Sequence, residues 1–500
     1  MSTLSQAETS LGAFLSQAGG FFHPALHPES DAYGTSIYTK EDLPPGTKAV
    51  CCPFSLAITP SSVRRALPLE FFPPPSTAAD PSIATNTDAD DDDHRLMVLY
   101  LVLHLLPSSL IASIRADLAA AAEQLHLAHE PYVSALPNPS SLRTPLYFTP
   151  RERALLRGTN LDGATSDRER QWQRERDEVL RRVRAPDEVK SAISWDHWLW
   201  ACTMLSSRAF PSSLIDGDRA NSTPVLFPGI DLLNHRPTAK VTWSTDVHAA
   251  PTTSDARTAD KGSLTIVLDE TVSAGSQVFN TYGAKSNEEL LLGYGFVLPP
   301  PNPADILALK LSFPDPSSSP TFAQFHEVLA RLGLREARHT VPPSGELPPA
   351  LLAQMRLLLA ANSSDPDAFS SLAEGILSAE DERGRDKVAF LGWENELDVL
   401  DALEGMLESK ADALSAVDVD DDAATVAASG PDQGDIRPEV LDMIRIYREG
   451  QLRIVEAALA HREQLFEAAV ARARAEGVEL AFECDEDEAE DDLDEDASSE

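Results

Sequence analysis

Five hundred residues exceed what one hydrophobic core usually organises, so two or three domains are expected. A formal net charge of −39 argues against nucleic acid and anionic membrane as partners and favours basic proteins. Twelve of the acidic residues lie in 483–500 with no basic residue among them, and the rest of the chain is still strongly acidic.

The first thirty residues are weakly patterned. Two β-like runs, 36–39 and 49–57, flank the turn Leu43-Pro44-Pro45-Gly46. The Pro/Ser/Thr stretch 73–93, ending in four aspartates, reads as a solvated loop. Residues 96–106 form an apolar run about half the ~20 residues a bilayer span needs, so they read as a buried helix. A helical pattern follows over 109–129, and Pro137 and Pro139 break it. The charged stretch 151–184 reads as helix with a solvated face. Spacings of three and four place Trp195, Leu199, Cys202, Leu205 and Ala209 on one buried helix.

Short β-like runs come next, at 225–227, 240–247, 263–272 and 277–280, with a loop over 249–262. Pro299-Pro300-Pro301-Asn302-Pro303 marks a boundary that neither helix nor central strand can cross. Beyond it the pattern is almost wholly helical, broken by the acidic stretch 417–435. The last helix is expected over 438–476, with Val440, Ile444, Tyr447, Val455 and Leu459 on one stripe. A disordered acidic tail over 477–500 is the expectation from charge and scarcity of aromatics.

The cysteines Cys51, Cys52, Cys202 and Cys484 form no C-x-x-C pair, which fits a reduced compartment and no zinc cluster. No basic region precedes a hydrophobic stretch at the N-terminus, so no secretory signal is read. A location in the cytoplasm, the nucleus or both is expected, with no membrane attachment.

Two polar, turn-forming strings sit against apolar runs: Asp231-Leu232-Leu233-Asn234-His235 and Asn280-Thr281-Tyr282-Gly283-Ala284-Lys285-Ser286-Asn287-Glu288. Hydrogen-bonding groups beside core segments suggest the lining of a cleft. Alone, Asn234-His235 is far better explained as a satisfied turn. Gly283 suits unusual backbone angles, and Ser286 or Asn287 suits an N-cap. Tyr282 and Tyr294 could wall a narrow channel or could simply be core.

Taken in order, these strings resemble a known family. Ser207-Arg208-Ala209-Phe210, Asp231-Leu232-Leu233-Asn234-His235, Gly275-Ser276-Gln277-Val278-Phe279-Asn280-Thr281-Tyr282-Gly283, Lys285-Ser286-Asn287-Glu288 and Gly293-Tyr294-Gly295-Phe296 are similar to SET-domain protein methyltransferases of the Rubisco large-subunit methyltransferase-like subclass. The resemblance implies an α+β chain: a SET domain over 30–300 with small sheets, a pseudoknot and a helical insertion at about 95–200. An all-α substrate-binding domain over 304–476 would follow. It implies an S-adenosyl-L-methionine cofactor, no metal, and a monomer acting on a protein substrate, a basic non-histone of ribosomal or translation-factor type.

Residue by residue, the resemblance makes Tyr282 the catalytic tyrosine. Arg208, Asp231, Asn234, His235, Ser286 and Asn287 would hold or border the cofactor together with Tyr282, and Phe210, Tyr294 and Phe296 would line the substrate channel. The N-terminal Gly-x-Gly of relatives is represented only by Ala32-Tyr33-Gly34, where Gly34 would meet the cofactor. Protein-lysine N-methylation is the leading expectation. The alternatives are methylation of a histidine ring and a non-catalytic module that binds basic proteins.

Overall fold

The computed structural model describes residues 2–31, 34–74, 86–246, 262–379, 386–419 and 435–480. Ala32-Tyr33, most of the loop expected over 249–262, most of the acidic stretch 417–435 and the tail from 481 onward lie outside the described residues. The chain forms two compact units, Met1–Ala304 with Val417–Tyr447, and Asp305–Ala416 with Arg448–Glu500.

The first unit opens with a helix, Ser2–Gln17, that buries Leu11 and Leu15. Short strands follow: β1 (Phe21–Phe22), β2 (Leu26–Asp31), β3 (Gly34–Thr39) and β4 (Lys48–Pro53). Later come β5 (Phe210–Pro211), β6 (Pro224–Val225), β7 (Val241–Thr245) and β8 (Ser263–Leu268). They assemble into one four-stranded antiparallel sheet, β1-β4-β8-β7, and two-stranded ladders β2-β3 and β5-β6. β4 reads Lys-Ala-Val-Cys-Cys-Pro and is buried on both faces after its first residue, which is why it lacks alternation. The run 277–280 forms no named strand; it pairs through isolated bridges, Tyr38 with Gln277 and His235 with Asn280.

Most helices of this unit lie between β4 and β5. Helix Asn86–Leu105 begins inside the stretch expected to be a solvated loop. Within it Asp92 pairs with Arg182 and Asp93 with Arg64. Helix Trp195–Arg208 is capped by Ser194, whose hydroxyl accepts from the His197 N–H at 3.2 Å. Every residue from Trp198 to Leu205 is buried, so the helix is enclosed rather than one-sided.

The returning segment, Val417–Tyr447, seats Val440, Ile444 and Tyr447 on Phe148, Leu155, Leu156, Leu161, Leu291 and Leu292. The second unit is mainly helical, with Pro320–Leu332, Pro349–Asn362, Pro366–Leu377, Trp393–Ser415 and the later part of Pro438–Ala475. It also carries an antiparallel ladder, β9 (Leu307–Lys310) with β10 (Arg338–Val341), beside the expected helices. No helix among the described residues is long and apolar enough to cross a membrane.

Candidate functional site

Gly229 adopts φ of +88°, and a side chain there would meet Leu15 Cδ1 and Phe22 Cζ at 2.9 Å. Only glycine suits this turn. The chain then enters the short helical turn Ile230–Leu232 and buries Asp231. Asp231 Oδ2 accepts from Arg208 Nη1 at 2.9 Å and from Tyr132 Oη at 3.0 Å, and Oδ1 accepts from the Gly229 N–H at 3.2 Å. Arg208 Nη1 also donates to the Asp231 main-chain oxygen at 3.1 Å. Burial opposes the charge on Arg208, but Asp231 and Tyr132 outweigh it and hold the guanidinium above its ordinary value. Burial, then Asp231, pushes the Tyr132 phenol up, so it stays a neutral donor.

After Asp231 the chain runs beside a distant segment. Asn280 N–H donates to Asn234 O at 2.8 Å, and Arg236 N–H donates to Asn280 O at 3.0 Å, a parallel bridge around His235. The Asn234 amide donates to Ser36 Oγ at 2.9 Å, which ties in β3. Asn280 is fully buried, and its Oδ1 accepts from Trp243 Nε1 and the Thr281 N–H, each at 2.8 Å.

Tyr282 joins the two strings. Its N–H donates to His235 Nδ1 at 3.0 Å, and its Oη donates to Leu233 O at 3.1 Å. Its ring stacks on His235, centroids 4.9 Å apart, and on Tyr294, 5.1 Å apart; Phe296 lies 6.2 Å from both His235 and Tyr294. Burial is the main cause that raises the Tyr282 phenol, with Arg208 opposing and Asp231 and Tyr294 adding. A neutral phenol held on a carbonyl orients and donates; it does not remove protons.

His235 is held below its ordinary value by burial and then by Lys285. Because Nδ1 accepts from Tyr282, the neutral ring carries its proton on Nε2. That buried Nε2, Arg208 Nε and Asn280 Nδ2 find no hydrogen-bond partner among the described residues. The unmatched His235 and Arg208 donors, both beside Tyr282, suit a ligand rich in acceptors.

Comparison with solved structures decides the fold. The SET domain of LSMT bound to lysine and AdoHcy aligns with TM-score 0.67 at 18% identity, covering 95% of this chain and 96% of that one. Rubisco LSMT bound to AdoMet aligns at 0.65 and 19%, covering 94% and 96%. This chain shares the fold of the Rubisco LSMT structures. No family model matches it. Among curated proteins, the ribosomal lysine N-methyltransferase set10 of Schizosaccharomyces pombe is 40% identical over 174 residues, 35% of this chain and 29% of that protein. Ribosomal lysine N-methyltransferase 1 of Saccharomyces cerevisiae is 28% identical over 218 residues, 37% and 34%. Human N-lysine methyltransferase SETD6 is 28% identical over 186 residues, 35% of each. The aligned part spans about a third of the length of these relatives.

Within this fold the remaining expected residues are placed unevenly. Arg208, Asp231, Asn234, His235, Tyr282, Tyr294 and Phe296 converge as described. Ser286 spends its hydroxyl on the N-cap of helix Asn287–Tyr294, accepting from Glu289 N–H at 3.2 Å. The Asn287 side chain exchanges hydrogen bonds with the Leu298 backbone at 2.8 and 3.0 Å. Phe210 stands apart from the His235–Tyr282–Tyr294 stack, against Trp243 at 5.0 Å and Phe227 at 5.7 Å. It reaches the site at one remove, since Trp243 bonds Asn280. Gly34 opens β3 at φ +114° with open space around it. Tyr132, Asn280, Trp243 and Ser36 are site-building residues absent from the candidate list. The only local hint was the polar Asn280 between apolar Phe279 and the Tyr282 turn.

Proposed function

We propose that this chain is an S-adenosylmethionine-dependent protein-lysine N-methyltransferase acting on a basic, non-histone protein. The anchored Tyr282, with its amide on His235 and its hydroxyl on Leu233 O, is the observation that carries this reading. The likeness to solved LSMT structures bound to AdoMet or AdoHcy supports the cofactor. The residues fit it: the unmatched His235 Nε2–H and Arg208 Nε–H are donors suited to its carboxylate and adenine acceptors. Arg208, Asp231, Asn234 and His235 would hold it, with Ser286, Asn287 and Gly34 contributing backbone; Tyr294, Phe296 and, behind them, Phe210 would bound the acceptor side. When bound, the cofactor supplies an electrophilic methyl group on a positively charged sulfur.

The chain's own part is positioning. A free lysine with pKa ~10.4 is neutral in only about one molecule in 2,500 at pH 7. A dry channel around the acceptor would disfavour the ammonium form. The neutral Tyr282 phenol and the nearby carbonyls orient the amine's lone pair, and alignment supplies much of the barrier reduction. Two relatives named ribosomal lysine N-methyltransferases favour a ribosomal protein as the acceptor, in the cytoplasm or nucleus.

The test is transfer of labelled methyl from the cofactor into a basic ribosomal protein fraction, followed by mass spectrometry of the modified peptide. Methyl-lysine is the expected product. Label on histidine would change the acceptor, and failure to bind the cofactor by calorimetry would leave a non-catalytic binding module.

A further inference from the structure

Arg437, just after the acidic stretch, makes a concentrated set of hydrogen bonds. Its N–H and Nε donate to Glu152 Oε1 at 2.9 and 3.0 Å, and Nη2 donates to Oε2 at 2.9 Å. Nη1 donates to Leu142 O at 3.2 Å and Nη2 to Tyr147 O at 3.1 Å. Glu152 has no exposed surface, and its Oε2 also accepts from the Thr149 N–H at 2.9 Å. The fork therefore grips both ends of the loop 142–147 and the first turn of helix Pro150–Ala154.

That loop touches the candidate site. Gly295 caps helix Asn287–Tyr294 at φ +80°, and a Cβ there would lie 2.9 Å from the Arg143 carbonyl carbon and the Thr144 nitrogen. Gly295 stands between Tyr294 and Phe296, the two rings beside Tyr282 and His235. A second path runs through the same returning segment: its Val440, Ile444 and Tyr447 cluster with Leu291 and Leu292 of the helix that ends in Tyr294.

We infer that Arg437 is a positioning residue for the aromatic wall of the site, holding loop 142–147 under Gly295 and thereby setting Tyr294 and Phe296 against Tyr282 and His235. Its kinetic consequence rests on the function proposed above; its structural consequence does not. No local sequence pattern connects position 437 to position 295, because the link passes through backbone carbonyls.

Two variants test it. Arg437→Lys keeps a cation for Glu152 but cannot span Leu142 O and Tyr147 O together. The double variant Arg437→Gln, Glu152→Gln removes both charges, so no buried carboxylate is left unpaired. Hydrogen exchange is read on peptides covering 142–147 and 290–297, with β4 and β8 as internal controls. Exchange at the first two should rise by roughly tenfold or more while the strands keep wild-type rates. In the methyl-transfer assay, kcat should fall roughly ten- to a hundredfold, with KM for the cofactor within about twofold of wild type. Unchanged protection over 290–297 in either folded variant would overturn the inference, as would an equal loss across the strands. A wild-type protein that transfers no methyl would remove the proposed function, while the exchange result would still decide the role of Arg437.

Discussion

The backbone N–H of Tyr282 donates to Nδ1 of His235 at 3.0 Å, across 47 residues of chain. This bond fixes the tautomer of His235 and puts the ring's proton on Nε2. Protonating Nδ1 would set a donor against a donor. The ring's folded value lies below the ordinary 6.5, by burial and then Lys285, so the sign is clear. Its contribution is fully present above pH ~6.5 and is lost as pH falls through the lower folded value. His235→Ala should cost about 1–3 kcal/mol, the usual penalty for a buried group losing its partner. Urea titration at pH 7.5 and 5.5 checks this: the variant should show the smaller change between the two.

Tyr282→Phe keeps both ring stacks and removes only the hydroxyl on Leu233 O. Stability should change by about 1 kcal/mol. Methyl transfer should fall by about a hundredfold, because lone-pair alignment is lost while the fold is kept. Circular dichroism melts beside single-turnover rates separate the two effects. A variant that turns over at the wild-type rate would take Tyr282 out of the mechanism.

Asp231 and Tyr132 share a hydrogen bond but differ in consequence. Tyr132→Phe removes one neutral donor at 3.0 Å, a loss of about 1 kcal/mol. Asp231→Asn leaves the largely buried Arg208 charge without its counterion, a penalty on the order of 3–5 kcal/mol. Denaturant midpoints of the two variants should therefore be well separated. Equal midpoints would mean that Arg208 finds another anion or water.

Local patterns made much of this legible, and distance hid the rest. Trp195–Arg208 announced itself because apolar residues recur at helical spacing behind a Ser cap. Asn234-His235 and Tyr282-Gly283 stood out because polar turn residues abut apolar runs. By contrast, β1 is two residues long and has no period to read. Helix Asn86–Leu105 hid behind an aspartate run that resembles a solvated loop. Asn280, Trp243, Ser36 and Tyr132 acquire their roles only from partners dozens to hundreds of residues away. The return of Val417–Tyr447 to the first unit has no local signature either, since its apolar stripe fits any neighbouring surface.

A histidine pair in the helical region between β4 and β5 should make the fold acid-sensitive. His129 N–H donates to His104 Nε2 at 3.3 Å, so His104 Nδ1–H donates to Tyr100 O at 2.8 Å. His129 Nε2 faces Leu56 O at 3.2 Å and so carries the proton, leaving Nδ1 to accept from the Tyr100 hydroxyl at 2.7 Å. Both rings are thus neutral with every nitrogen matched. Burial is the main cause that pulls each down to about 4. The unfolded chain binds protons near 6.5 and the folded one only near 4, so stability falls as pH drops through that window. By linkage each ring accounts for on the order of 3 kcal/mol, less where the two titrations couple. Urea midpoints measured from pH 7.5 down to 4.5 should show this loss in the wild type. In His104→Gln the protein should start less stable at pH 7.5 and lose less on acidification, because one of the two protons is no longer taken up. An acid profile identical in slope to the wild type would show that His104 is already solvated and does not contribute.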